Sequence, residues 1–307
     1  MDITKFNNTF LYLCGTFISV TIDIMRRIAI FIASVLLIVG CNSSTKGNTE
    51  KTIFVTITPL KSLVEAVTCG DFDVEVLVPE GASPETYEPT ARQLTALNSA
   101  RRVFAIGLID FEQSLISNLD SGSIVDLSTG IDPMEGSCSH GHKHHSHGID
   151  PHTWTSPRAL KTMVRTIERA IMADYPDSAK YSEAADELVA RIEALDSRCE
   201  ERIAGSGVEA ILIYHPAYTY YARDYGIRQI AIEHDGKEPS PRQLTSIIST
   251  ARENGIRTIL IQPQYSPDKV RAIAEECDAE VVVTNPLAED ILAEIERVTD
   301  VICRQDE

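Results

Sequence analysis

Basic residues are scarce in this chain relative to acidic ones: 28 Lys and Arg against 45 Asp and Glu leave a net charge of −17. A nucleic-acid partner needs a basic footprint to meet its phosphates, so that class is excluded. No long hydrophobic run occurs either. The most apolar stretch, IAIFIASVLLIVG at 28–40, falls short of the ~20 residues a membrane-spanning helix requires. The 7 cysteines form no Cys-x-x-Cys pair. His-Glu-x-x-His, Gly-x-Ser-x-Gly and a Cys/His nucleophile stretch are all missing. Those are the local signatures of secreted hydrolases, and without them an enzyme is disfavoured.

What is present at the N-terminus points out of the cytoplasm. Met25, Arg26 and Arg27 precede the apolar stretch, and Cys41 follows it after Ile38-Val39-Gly40. Two arginines, about a dozen apolar residues and a small residue before cysteine make a signal peptide. The cysteine stands where a bacterial lipoprotein carries its lipid. Residues 1–24 read as an N-terminal extension ahead of a start at Met25, 25–40 as the lipoprotein signal peptide and 41–50 as a solvated tether. The expected location is periplasmic, anchored to the cell membrane through Cys41. Of the other cysteines, Cys69, Cys138, Cys199, Cys277 and Cys303, sequence leaves two options open: a Cys277–Cys303 bridge or free thiols.

At 307 residues, with 43% hydrophobic and 24% charged side chains, the chain has the length for two globular domains. Short apolar, β-branched runs fall at 52–57, 74–78, 102–106 and 123–127, then at 210–214, 228–232, 258–262 and 280–284. Helical patterns lie between several of them, as at 91–100 and 241–254. Continuous apolar strands alternating with helices predict parallel sheets covered on both faces. The expected fold is α/β, with two parallel-sheet lobes, 51–176 and 206–307. Between them, Tyr181, Ala184, Leu188, Ile192, Leu195, Cys199 and Ile203 recur at steps of three and four. That stripe predicts one long rigid helix over 177–205, opened by Pro176-Asp177 and stopped by Gly205.

Ligands of open α/β sheets bind beyond the carboxyl ends of the strands. There the sequence puts His215, Glu233, His234, Gln262 and Asn285 in the second half. In the first half it puts the loop PEGASPETYEPT, with Glu80, Glu85 and Glu88. His152 follows Asp150-Pro151 just before a helix start. Two imidazoles and a carboxylate meeting between the halves make a recurrent first shell for zinc. A low-complexity tract, 138–149, adds His140, His142, His144, His145 and His147. Nothing fixes its geometry, so it reads as a surface insert that collects metal weakly rather than as the principal site.

Seven stretches, VTITPLKSLVEAV, VLVPEGASPETYEPTARQL, DPHTWTSPRAL, YHPAYTYYARDYGIRQIAI, EPSPRQL, IQPQYSP and NPLAED, resemble in order the metal-binding lipoproteins of ABC uptake systems. These form the cluster A-I family, which captures zinc or manganese. The resemblance implies two α/β lobes joined by a backbone helix, a metal in the cleft and a monomer that serves an ABC permease. His152 and His215 match the family's second and third ligands. Glu85 in PETYEP stands where histidine is usual, and Asn285 stands where many members carry aspartate. The fourth place then falls to Asn285, to water, or to a neighbour such as His234 or Glu88. A shell of Glu85, His152, His215 and Asn285 carries a formal charge of −1, undercompensating a dication. The His-rich insert resembles that of zinc-type members.

Zn2+ is therefore the expected cargo, with Mn2+ the alternative, because imidazoles suit the borderline-soft ion. The competing classes are a secreted metal-dependent hydrolase working through a bound water and a metal-binding adhesin or storage lipoprotein.

Overall fold

A computed structural model describes residues 51–119, 122–136, 148–233 and 236–304. The chain runs β1 (Thr52–Val55), α1 (Thr58–Val67), β2 (Asp73–Val76), a 3-10 turn at Pro84–Thr86, α2 (Ala91–Leu97), β3 (Arg102–Ala105), α3 (Asp110–Asn118) and β4 (Ile124–Asp126). A second 3-10 turn, Thr153–Thr155, leads into α4 (Pro157–Asp174) and α5 (Ala179–Ser206). The second half is β5 (Ala210–Ile213), α6 (Thr219–Asp224), β6 (Arg228–Ala231), α7 (Pro241–Glu253), β7 (Thr258–Ile261), α8 (Arg271–Cys277), β8 (Glu280–Val283) and α9 (Ile291–Ile302).

The strands form two four-stranded parallel sheets, ordered β2-β1-β3-β4 and β6-β5-β7-β8. The two orders are one topology repeated. In each, the order reverses between the two central strands, which leaves a crevice at their carboxyl ends. Central strands are largely apolar because both faces are covered. Successive side chains of a strand point to opposite faces. Ile53 and Val55 of β1, and Ile211 and Ile213 of β5, thus enter one core shared by both halves, whereas Phe54 and Leu212 enter separate cores on the far faces.

Twenty-eight residues make α5 a rod of about 42 Å. Near its start Tyr181 donates to Asp71 of the first half at 2.7 Å. Near its end Arg198 bonds Glu296 of α9 at 2.7 Å, and Cys199 meets Thr299 at 3.2 Å. Two details differ from the sequence reading. The helix runs through Gly205 and stops at Gly207, whose φ of 71° supplies the left-handed cap. Ala185, not Ala184, is the alanine buried on its apolar face, because the stripe also takes in Val189. Cys69, Cys199, Cys277 and Cys303 are free thiols, so no Cys277–Cys303 bridge forms; Cys277 packs in the far core of the second half, apart from Cys303. Cys14, Cys41 and Cys138 lie outside the described residues.

Candidate metal centre

The site forms from three segments that local chemistry shapes separately. His215 follows β5, and Gln262 follows its neighbour β7, so both stand at the reversal of strand order in the second sheet. They bond each other reciprocally: Gln262 Nε2 donates to the His215 carbonyl at 2.7 Å, and His215 N donates to Gln262 Oε1 at 3.3 Å. His152 sits in a tight turn. Asp150 Oδ1 accepts from His152 N at 2.8 Å, the Asx geometry that pulls a chain back on itself. Glu85 is carried by the 3-10 turn after β2, opened by Pro84 at its first position.

The three functional atoms form a triangle. His152 Nε2 and His215 Nε2 are 3.3 Å apart, Glu85 Oε1 is 3.4 Å from His215 Nε2, and it is 3.9 Å from His152 Nε2. A tetrahedral ion with bonds of ~2.0–2.1 Å has ligand–ligand edges of roughly 3.3–3.4 Å, so two edges fit and the third needs a small inward shift of Glu85. Among the described residues this is the group of His, Cys, Asp and Glu side chains able to hold an ion together.

Each imidazole is fixed from behind by a carboxylate. His152 Nδ1 lies 2.8 Å from Asp150 Oδ1, and His215 Nδ1 lies 2.5 Å from Glu233 Oε1. A carboxylate accepts only, so Nδ1 carries the hydrogen and Nε2 presents its lone pair to the cleft. The imidazoles are 6% exposed, Asp150 2% and Glu233 4%, so these charges act through little water. Burial opposes a positive charge on His215, but the hydrogen bonds and charges of Glu233 and Glu85 outweigh it and push the imidazole up to about 10. In the metal-free protein His215 therefore also carries a proton on Nε2 at neutral pH, 3.3 Å from His152 Nε2, which a metal ion would replace.

Around the three atoms lies a cavity of about 30 Å³, lined among others by Trp154, Gln264, Tyr265 and Leu287. That admits an ion with a water or two, far below the ~300 Å³ at which organic-ligand pockets begin. Trp154 stands 5.1 Å from the His152 ring and Tyr265 6.0 Å from the His215 ring.

The structure brings Glu85, His152 and His215 together, and leaves Asn285 aside. The Asn285 side-chain oxygen accepts from Leu287 N at 3.1 Å, and the residue lines an adjoining cavity with Val78 and Glu289. Glu88 is exposed. His234 and the tract holding His140, His142, His144, His145 and His147 lie outside the described residues. Sequence reasoning missed the roles of Asp150 and Glu233. Counting them, three carboxylates with a formal charge of −3 surround the place of a dication, in contrast to the −1 expected from the ligand shell alone. Asp150 was legible, two residues from His152 across a proline. Glu233, eighteen residues from His215, becomes a neighbour only because β6 pairs with β5.

Comparison with known proteins bears on the family of the whole described chain. Residues 53–297 match the family model "Zinc-uptake complex component A periplasmic". The zinc-binding lipoprotein AdcA of Streptococcus pneumoniae serotype 4 is 27% identical over 279 residues, covering 86% of this chain and 56% of that protein. The chain therefore spans little more than half the length of this relative. The high-affinity zinc uptake system protein ZnuA of Bacillus subtilis is 28% identical over 276 residues, covering 83% of this chain and 86% of the relative. A crystal structure of ZnuA superposes with a TM-score of 0.74 at 32% identity, covering 82% of this chain and 97% of that one.

Proposed function

The chain belongs to the ZnuA family of periplasmic zinc-uptake components, and from that footing we propose that it is the receptor of an ABC uptake system, capturing Zn2+ outside the cytoplasm and delivering it to a membrane permease. Glu85, His152 and His215 are its ligands, and water takes the fourth place. The observation that carries this reading is the triangle of one carboxylate oxygen and two Nε2 atoms, each imidazole backed by a carboxylate. Such backing makes imidazole a better donor and holds its lone pair on the ion. The cargo is drawn from the family and from the nitrogen donors; a manganese site would be richer in oxygen.

The family consists of solute-binding proteins of transport, not enzymes. The lipid on Cys41, the His-rich collector at 138–149, the monomeric state and the bridging role of α5 complete the proposal. A tethered receptor stays near its permease, and the collector raises the local concentration of metal.

The test is metal analysis of protein purified without added metal, followed by competition titration. Zinc retained in preference to manganese, at one tight site per chain, supports the reading. Retention of manganese in preference to zinc overturns the choice of cargo.

A further inference from the structure

His152 and His215 are oriented by different means. Glu233, which holds His215, follows the strand beside β5, so both come from one sheet. Asp150, which holds His152, precedes α4, yet its remaining acceptors are filled from the second half. Thr219, the first residue of α6, donates its hydroxyl to Asp150 Oδ2 at 2.5 Å. Tyr220 donates to the Asp150 carbonyl at 2.8 Å. Behind Thr219 stands Gln229 of β6: its Nε2 donates to Thr219 Oγ1 at 2.8 Å, while its Oε1 accepts from Tyr218 N at 2.7 Å. The amide therefore has one rotamer that serves both partners, and it leaves the Thr219 hydroxyl hydrogen a single direction, toward Asp150.

We propose that Thr219 is a positioning residue for metal capture: its hydroxyl, aimed by Gln229, locks the Asp150 carboxylate and through it fixes the His152 imidazole relative to His215. The proposal rests on the reading of His152 as a zinc ligand. The chain of donors, amide to hydroxyl to carboxylate to imidazole, polarises along its length and keeps the Nε2 lone pair of His152 in the cleft. Without the hydroxyl, Asp150 still accepts from His152 N and Nδ1, but one oxygen loses its partner and the carboxylate is free to turn. The segment itself stays docked, because Trp154 Nε1 donates to the Pro286 carbonyl at 2.7 Å and Thr155 Oγ1 donates to the Ala217 carbonyl at 3.0 Å. Removing the hydroxyl thus loosens the orientation of His152 and leaves its location unchanged.

Thr219→Val removes the hydroxyl at nearly constant volume, and Thr219→Ser retains it. Zinc affinity is measured for both and for wild type in the full chain, by competition with a chelator. Imidazole nitrogen resonances of the metal-free proteins are recorded alongside, as a readout that general destabilisation does not move. The expected result for Thr219→Val is about tenfold weaker zinc binding, the lower end of the range for outer partners of metal-bound histidine. With it, the His152 ring nitrogens change from one tautomer to a mixture while those of His215 stay put. Thr219→Ser restores both. A folded Thr219→Val protein with wild-type affinity and an unchanged His152 signal overturns the proposal, and so does an affinity loss that Thr219→Ser shares in full. Should Thr219→Val not fold, Thr219→Ala carries the same test. Failure of the wild-type chain to bind zinc would instead overturn the functional reading.

Discussion

At the scale of single residues, the candidate centre depends on groups that touch no ion. Asp150 and Glu233 each hold an imidazole Nδ1 hydrogen, at 2.8 and 2.5 Å. Asp150→Asn and Glu233→Gln keep shape while replacing the accepting anion by an amide. Each is expected to weaken zinc binding about 10–100-fold, with the far-ultraviolet circular dichroism unchanged; competition titration checks it. The charge on His215 gives a second expectation. Its imidazole is pushed up to about 10 by Glu233 and Glu85 despite burial. In the metal-free fold this contributes stability that is fully present below the ordinary imidazole value of 6.5 and is lost as pH rises through about 10. An entering cation must displace that proton. Zinc binding at pH 7.4 is thus expected to release one proton, and apparent affinity to fall about tenfold per pH unit on acidification from 9 to 7. Calorimetry in buffers of different ionisation enthalpy measures the release, and Glu233→Gln diminishes it.

At the scale of elements, much was legible. Eight apolar, β-branched runs announced eight strands, most clearly the four central ones, β1, β3, β5 and β7, which are covered on both faces. His215 could be placed beyond the end of β5 for the same reason, and Glu85 in the loop that follows β2. What stayed hidden depended on pairing. Glu233 reaches His215 only through the β5–β6 register, and Thr219 reaches Asp150 only because α6 packs against the turn before α4. The bond from Leu287 N to the Asn285 side-chain oxygen is likewise invisible in the sequence. The turn after β3 shows how such geometry is enforced. Gly107 has φ of +83°, its amide donates to the buried Glu112 at 2.8 Å, and a Cβ there would collide with the Asp126 carboxylate. Gly107→Ala is expected to destabilise the fold by more than the ~1–2 kcal/mol of left-handed backbone alone, read as a lower urea midpoint with an unchanged slope.

At the scale of the whole molecule, the two halves repeat one topology and share a core that continues along α5. Glu85 from the first half and His215 from the second face one another at 3.4 Å between the sheets. Among the described residues no helix is long and apolar enough to cross a membrane. Because the capture triangle is complete without the His-rich tract, deleting 139–147 should leave one tight zinc site per chain and remove only weaker binding. A titration with excess zinc, comparing stoichiometry at both affinities, checks that outcome.

The most direct measurement is the zinc affinity of the chain with His152 and His215 both replaced by alanine, set against wild type in one chelator competition. The capture scheme predicts that tight binding disappears while the thermal transition of the metal-free protein persists. Tight, stoichiometric zinc binding by the folded double variant would contradict it.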